Sequence, residues 1–224
     1  MRFQAASDQA LLVYLGEEIG TAAHGRLLRL LHLLHREPAP WIRNIQPAYC
    51  SLLITFDAAA VDHAEAQASI TEYEKRAESL PPAKPKLVEV PVCYGGEFGP
   101  DLEAVAAKSS LSAAKVIALH CARVYYAYFL GFAPGFAYLG DVAREIATPR
   151  LETPRKTVPA GSVGIAGRQT GVYPFATPGG WRLIGRTPLE IFKKGREPIG
   201  WIAIGDQVKF LPISREEFAW RSQS

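Results

Sequence analysis

Pro154-Arg-Lys-Thr-Val-Pro-Ala-Gly-Ser-Val-Gly-Ile-Ala-Gly-Arg-Gln-Thr-Gly-Val-Tyr-Pro174, followed by Pro178-Gly-Gly-Trp-Arg-Leu-Ile-Gly-Arg-Thr-Pro188, decides how the second half of this chain folds. Glycine permits positive φ and close backbone approach, and proline fixes the turns between such points. Val, Ile, Tyr and Trp interleave with both, a pattern of short strands joined by shaped loops. From Thr153 to Leu189 the chain carries five basic residues (Arg155, Lys156, Arg168, Arg182, Arg186) and no acidic one. Arginines without a local carboxylate offer a surface for an anionic ligand.

Working outward, strand-like segments recur at 123–130, 163–166, 181–184, 189–192 and 207–212, with no long helical period after Ala122. Many short strands with Gly/Pro turns predict a closed β-barrel or a sandwich. The first half differs. An apolar run at 10–15 precedes Ile19, Ala23, Leu27, Leu30, Leu31 and Leu34 at helical spacing, with Glu17 and Glu18 placed in the first turn. Strands at 42–49 and 51–56 precede a second helix, capped by Asp57 or Asp62, with Ala66, Ile70, Tyr73, Ala77 and Leu80 on its apolar face. With a strand at 87–92, the order β–β–α–β–β–α–β describes one sheet covered by two helices. The expected architecture is α+β. An α/β sandwich occupies 1–93, Tyr94-Gly-Gly-Glu-Phe-Gly-Pro100 is the linker, and 101–224 form the β domain.

The 224 residues, 48% hydrophobic and 21% charged, suit a globular protein with a proper core. The net charge of +3 is uneven: 1–103 hold nine Lys/Arg against fourteen Asp/Glu, and 104–224 hold sixteen against eight. The basic half lacks a long Lys/Arg run, which disfavours nucleic acid. Three separated cysteines, Cys50, Cys93 and Cys121, fit reduced thiols rather than a disulfide framework or a zinc site. No apolar stretch is long enough to span a bilayer, and the amino terminus lacks a signal-peptide pattern, so a cytoplasmic protein is expected.

Candidate chemistry gathers in the second half. His120 shares an apolar helix face with Val116 and Ile117. It is either a core-edge histidine or a general acid/base at a barrel mouth. His24, His32, His35 and His63 read as a solvated helix face, without the third ligand a metal site needs. Gly131-Phe-Ala-Pro-Gly-Phe-Ala-Tyr-Leu-Gly140 is either a rigid capping loop or a pocket wall built from Phe132, Pro134, Gly135 and Phe136. Arg150 and Arg155, each after a proline and close to Lys156, suit bidentate capture of a carboxylate or phosphate. Ser162, Gln169, Thr170 and Tyr173 would orient such a ligand, and Arg186-Thr187 would face it as well. Ser162 lacks the Gly-x-Ser-x-Gly context of a hydrolase elbow, and the chain has neither a Walker A sequence nor a GxGxxG fingerprint. Trp181 and Trp201 are expected in the core.

These motifs, in this order, resemble the KipI / allophanate hydrolase subunit 1 family. The likeness extends to Ser7-Asp-Gln-Ala-Leu-Leu-Val13, to Val92-Cys-Tyr-Gly-Gly-Glu-Phe-Gly-Pro-Asp-Leu102 and to His120. Thr177, before Pro-Gly-Gly-Trp, stands where the family commonly has serine. The resemblance implies an amino-terminal α/β domain and a cyclophilin-like barrel. For the 5-oxoprolinase branch it implies the B subunit of a heteromer, inactive alone. A homologous partner subunit (the C component) and a ring-opening subunit (the A component) complete that heteromer, which uses ATP with Mg2+ to convert 5-oxo-L-proline to L-glutamate. With the positions marked by these motifs and by local charge, His120, Arg155 and Arg186 are the expected catalytic residues, and Arg150, Lys156, Ser162, Gln169, Tyr173 and Thr187 the expected substrate or anion contacts, with no metal expected on this chain. Other branches imply an inhibitor of a sensor histidine kinase, or one subunit of an allophanate hydrolase or urea carboxylase system. In the last case biotin would arrive on another chain, because the only methionine is Met1 and no Met-Lys-Met site exists.

Overall fold

A computed structural model describes residues 1–82, 84–193, 195 and 200–223. The chain divides into two compact units, Met1–Lys84 and Pro85–Ser224.

The first unit contains β1 (Arg2–Ser7), β2 (Ala10–Tyr14), α1 (Thr21–Arg36), β3 (Ile42–Pro47), β4 (Ser51–Phe56) and α2 (His63–Glu78). The strands form one antiparallel sheet in the order β1-β2-β4-β3. Period-2 burial in β2 and β4 turns Leu11, Val13, Leu52, Ile54 and Phe56 into the core. They share it with Leu27, Leu30 and Leu34 of α1 and Ile70 of α2. Asp62, rather than Asp57, caps α2: its side chain accepts from Glu65 N while the Glu65 side chain accepts from Asp62 N. Two expectations need correction. The first helix starts at Thr21 behind Gly20, so Glu17 and Glu18 precede it and Ile19 is exposed. His24 is fully buried rather than solvated, because it lies on the same helical face as Leu27 and Leu31.

The second unit is a closed seven-stranded barrel. Its strands are β5 (Leu87–Tyr94), β6 (Val124–Leu130), β7 (Ala137–Gly140), β9 (Ser162–Ala166), β10 (Gln169–Val172), β12 (Arg182–Arg186) and β13 (Gln207–Pro212), in the order β10-β7-β6-β13-β5-β12-β9. A separate ribbon pairs β8 (Arg155–Val158) with β11 (Thr177–Gly179). Three short helices, α3 (Leu102–Lys108), α4 (Ala113–Ala122) and α5 (Arg215–Arg221), complete the unit. All of β9 is buried, as its Ser-Val-Gly-Ile-Ala composition suggests for a strand covered on both faces.

The domain boundary differs from the sequence expectation. The strand at 87–94 belongs to the barrel, pairing in parallel with β13 from Leu87↔Gln207 to Val92↔Pro212 and antiparallel with β12 at Cys93 and Tyr94. Residues 94–100 are not a linker but part of the barrel wall: Gly95 N donates to Ile184 O at 3.1 Å, and Asp101 N donates to Leu183 O at 2.9 Å. A Cβ on Gly99 would lie 2.0 Å from Ile184 O, so this turn needs glycine for contact rather than for flexibility. The segment at 189–192 is also not a strand of the barrel; Phe192 makes one isolated bridge to Gly200.

The boundary is directly testable. A chain trimmed to residues 85–224 is expected to melt cooperatively, whereas one trimmed to 101–224 loses β5 and leaves β13 and β12 with unpaired edges. Circular dichroism melts of the two should show a sigmoidal transition only for the first.

Candidate functional site

Three groups of residues emerge from the predicted site, and their geometry separates structural from available charge. The first centres on His120, which is fully buried in the barrel interior. Its Nδ1 lies 2.7 Å from Tyr94 Oη and its Nε2 lies 2.9 Å from Thr170 Oγ1. The Thr170 hydroxyl donates to Gly164 O at 3.0 Å, so its proton is taken and Nε2 must donate to it. Nδ1 then accepts from Tyr94, whose oxygen accepts from Cys121 Sγ at 3.3 Å. The relay runs Cys121 to Tyr94 to His120 to Thr170 to Gly164, fixing a neutral imidazole with its proton on Nε2. Burial pushes the His120 pKa down to about 3 and the Tyr94 phenol well above its ordinary value. Phe210 packs against the imidazole ring at 4.5 Å between centroids. In this fold neither ring nitrogen of His120 faces solvent, and the side chain ties α4 to β5 and β10 in the barrel interior rather than sitting at its mouth.

The second group is Arg155. Its Nη2 donates to Asp101 Oδ1 at 2.8 Å, and Asp101 Oδ2 accepts from Leu183 N at 2.7 Å. The counter-charge that the local sequence lacks is thus supplied from 54 residues away. Arg168 is paired in the same manner, with Asp141 at 2.6 Å. Arg155 holds α3 against β12 and the ribbon and is not free to clamp a ligand through that pair.

The third group surrounds two depressions that share the segment after β10. A narrow slot of about 70 Å³ is lined by Phe132, Phe136, Tyr138, Arg150, Tyr173 and Trp181, with Gly179 and Gly180. Its aromatic rings meet edge to face, with Phe136 5.3 Å from Tyr173 and 5.2 Å from Trp181. Phe132 is 60% exposed at the slot's lip and sits at φ 69°, in the left-handed region that a phenylalanine rarely adopts. Arg150 has no hydrogen bond or ion pair among the described residues, and burial raises the Tyr173 phenol against the lowering influence of Arg150. A larger cleft of about 490 Å³ is lined by Gly161, Phe175, Arg186, Thr187, Phe192 and Phe218, among others. Gly161, at φ 77°, allows this approach, because a Cβ there would lie 2.4 Å from Thr187 O.

The remaining predicted residues fall outside both depressions. Ser162 is buried in β9 opposite Arg186. Gln169 starts β10 opposite Gly140 and Ala166. Lys156 is exposed on β8, and Pro134 and Gly135 form the loop beside Phe192 rather than the wall of the slot. Sequence reasoning missed Asp101, Trp181 as a slot wall, and Phe98 and Phe218 around Arg186. Asp101 was visible only as a helix opener, since nothing local signals its pairing with Arg155.

Two measurements test this sorting. Removing Arg155 with Arg155→Ala leaves the Asp101 carboxylate partly unpaired and should cost roughly 2–3 kcal/mol of stability in urea melts, while Arg150→Ala should stay within about 0.5 kcal/mol. For His120, the folded pKa lies far below the unfolded value, so the unfolded chain binds the extra proton first as pH falls. Stability from this burial is complete above about pH 6.5 and is lost toward pH 3, by up to about 1.4 kcal/mol per pH unit. His120 ¹⁵N shifts should still report a neutral Nε2–H ring at about pH 5, between the folded and unfolded values; a ring that titrates near 6.5 would contradict the relay.

The model of the carboxyltransferase domain, subdomain C and D, matches residues 1–202. The B subunit of 5-oxoprolinase from Bacillus subtilis (strain 168) is 40% identical over 242 aligned residues, covering 100% of this chain and 98% of its own. The protein of the same name from Escherichia coli O157:H7 is 40% identical over 210 residues, covering 92% and 93%. Among solved structures, the conserved uncharacterized protein PH0987 from Pyrococcus horikoshii is 44% identical with a TM-score of 0.58, over 97% of this chain and 100% of its own. TTHA0988 is 34% identical with a TM-score of 0.81 over 93% of this chain, which spans 40% of that longer protein. The urea amidolyase of K. lactis, at 21% identity and a TM-score of 0.77 over 97% of this chain and 15% of its own, shares the fold. Matched by the domain model over most of its length and by relatives over all of it, the chain belongs to the carboxyltransferase subdomain C and D family.

Proposed function

We propose that this chain is the B subunit of a 5-oxoprolinase, acting with a homologous partner and a ring-opening partner to convert 5-oxo-L-proline to L-glutamate with hydrolysis of ATP. The observation that carries this reading is 40% identity along the full chain to proteins bearing the 5-oxoprolinase B-subunit name. A cytoplasmic location accompanies it, and no helix among the described residues is long and apolar enough to cross a membrane.

The chemistry asks for charge compensation. A lactam carbonyl is a poor electrophile, and phosphorylating its oxygen turns it into a leaving group, with negative charge developing at the reacting centre. Arg150 and Arg186 are the cations this chain can offer at its two depressions, whereas Arg155 is engaged by Asp101 and His120 is sealed. Among the described residues, neither depression gathers the cations and free backbone donors that the polyphosphate of ATP needs. The larger holds one guanidinium among its described lining residues, and the backbone N–H groups of Gly161 and Thr187 are already bonded to Tyr173 O and Gly161 O. Nucleotide binding therefore falls to the assembled heteromer.

Co-expression with candidate homologous and ring-opening partners tests the reading. The three together should release glutamate and ADP in equal amounts, dependent on 5-oxoproline. A mixture that yields no more product than the two partners alone would overturn it.

A further inference from the structure

We infer that the cleft beside Arg186 is a binding site for a small monocarboxylate with a compact apolar body, held through the Arg186 guanidinium. Apolar walls come first. Pro174, Phe175, Pro188, Leu189, Phe192 and Phe218 line a space of about 490 Å³, within the range of small-molecule pockets. Such side chains suit a ring or short hydrocarbon.

Arg186 is the only cation among the described lining residues. Its Cζ lies 5.1 Å from the ring centroid of Phe98 and 5.7 Å from that of Phe218. Ring contact supplies no acceptor to the N–H donors of a guanidinium, so those donors are not consumed as they would be by a carboxylate. The Nε of Arg186 is buried and has no hydrogen-bond partner. A buried donor left unmet is costly, and an acceptor that reached it would remove that cost. The nearby carboxylates are committed elsewhere: Glu97 pairs with Arg215 at 2.9 Å, and Glu190, on the rim, pairs with Lys193 at 3.1 Å.

Among the described lining residues, one guanidinium matches one negative charge. A phosphate dianion would need a second cation or free backbone donors, and those of Gly161 and Thr187 are bonded. Under the function proposed above, the occupant is 5-oxoproline, whose carboxylate would meet Arg186 while its lactam ring lies against the apolar walls. That identification rests on the proposed function; the carboxylate site does not.

The test uses ¹⁵N–¹H spectra of the full chain titrated with 5-oxo-L-proline, with cyclopentanecarboxylate, and with 2-pyrrolidinone, which keeps the lactam ring and lacks the carboxylate. Both acids should shift the amides of Gly161, Phe175, Thr187 and Leu189 saturably, and 2-pyrrolidinone should not. Arg186→Gln should weaken 5-oxoproline binding about tenfold or more. Arg186→Lys keeps a cation against the two rings and so guards against loss of fold; it too should weaken binding, because an ammonium cannot make the bidentate contact. Unchanged affinity in a folded Arg186→Lys protein would overturn the inference. Equal shifts from 2-pyrrolidinone, or no response of the cleft amides to either acid, would do the same. Carboxylate binding without turnover in the three-component assay would leave the site standing and remove the oxoprolinase reading. Turnover with a silent cleft would do the reverse.

Discussion

Closure of the barrel through β5 is the constraint on which both depressions depend. A seven-stranded sheet has no edges only if its last two strands find a common partner, and β5 supplies it, parallel to β13 on one side and antiparallel to β12 on the other. The β12 side of that seam runs directly into Asp101 and Arg186. Leu183 is bonded on both its N–H and its C=O to Asp101, while Arg186 sits opposite Cys93 at the strand's end. Where β5 goes, the Asp101 anchor of Arg155 and the Arg186 side chain of the cleft both follow.

Polar groups inside this barrel hold it together. The Cys121–Tyr94–His120–Thr170–Gly164 relay links two strands, a helix and a carbonyl through groups that all find partners, which is the condition for burying them without a large penalty. Asp101 acts similarly at the surface of the core. One oxygen completes the backbone pairing of Leu183 and the other neutralises Arg155. Residues that look chemically eager in the sequence are therefore quiet in the fold.

Much of this was legible beforehand, and the failures have physical causes. Gly/Pro spacing around short apolar runs pointed to a barrel or a sandwich, and the family resemblance to the barrel; the α2 cap was narrowed to Asp57 or Asp62, and the capping box with Glu65 decides for Asp62. The slot's lip was visible as Gly131-Phe-Ala-Pro-Gly-Phe136, although the same loop read equally well as a cap. The domain boundary was missed because Leu87–Tyr94 carries no mark of which sheet it joins: its partners lie far downstream, in β12 and β13. Hydrophobic pattern tells a strand's face and not its neighbour. The role of Arg155 was missed for the same reason, since Asp101 is distant in sequence and reads locally as a helix opener.

The acid-free segment from Thr153 to Leu189 shows how such long-range pairing changes the meaning of local charge. Its five basic residues suggested a broad anion-accepting surface. A partly buried arginine carries a desolvation cost that a fold offsets by importing an acceptor, and here Asp101 comes from outside the segment to meet Arg155, while Asp141 pairs with Arg168 at the exposed surface. Arg182 directs its Nε toward Pro149 O at 3.4 Å. Lys156 stays on an exposed ribbon. Arg186 alone is part-buried beside a cleft, supported by aromatic faces rather than by a carboxylate. Ring contact supplies no acceptor to the donors of Arg186, whereas the pair with Asp101 takes up Nη2 of Arg155 and leaves its Nη1 buried without a partner. The difference between a structural and a ligand-ready arginine in this barrel is thus the identity of the neighbour, ring or carboxylate, and not the charge of the segment that carries it.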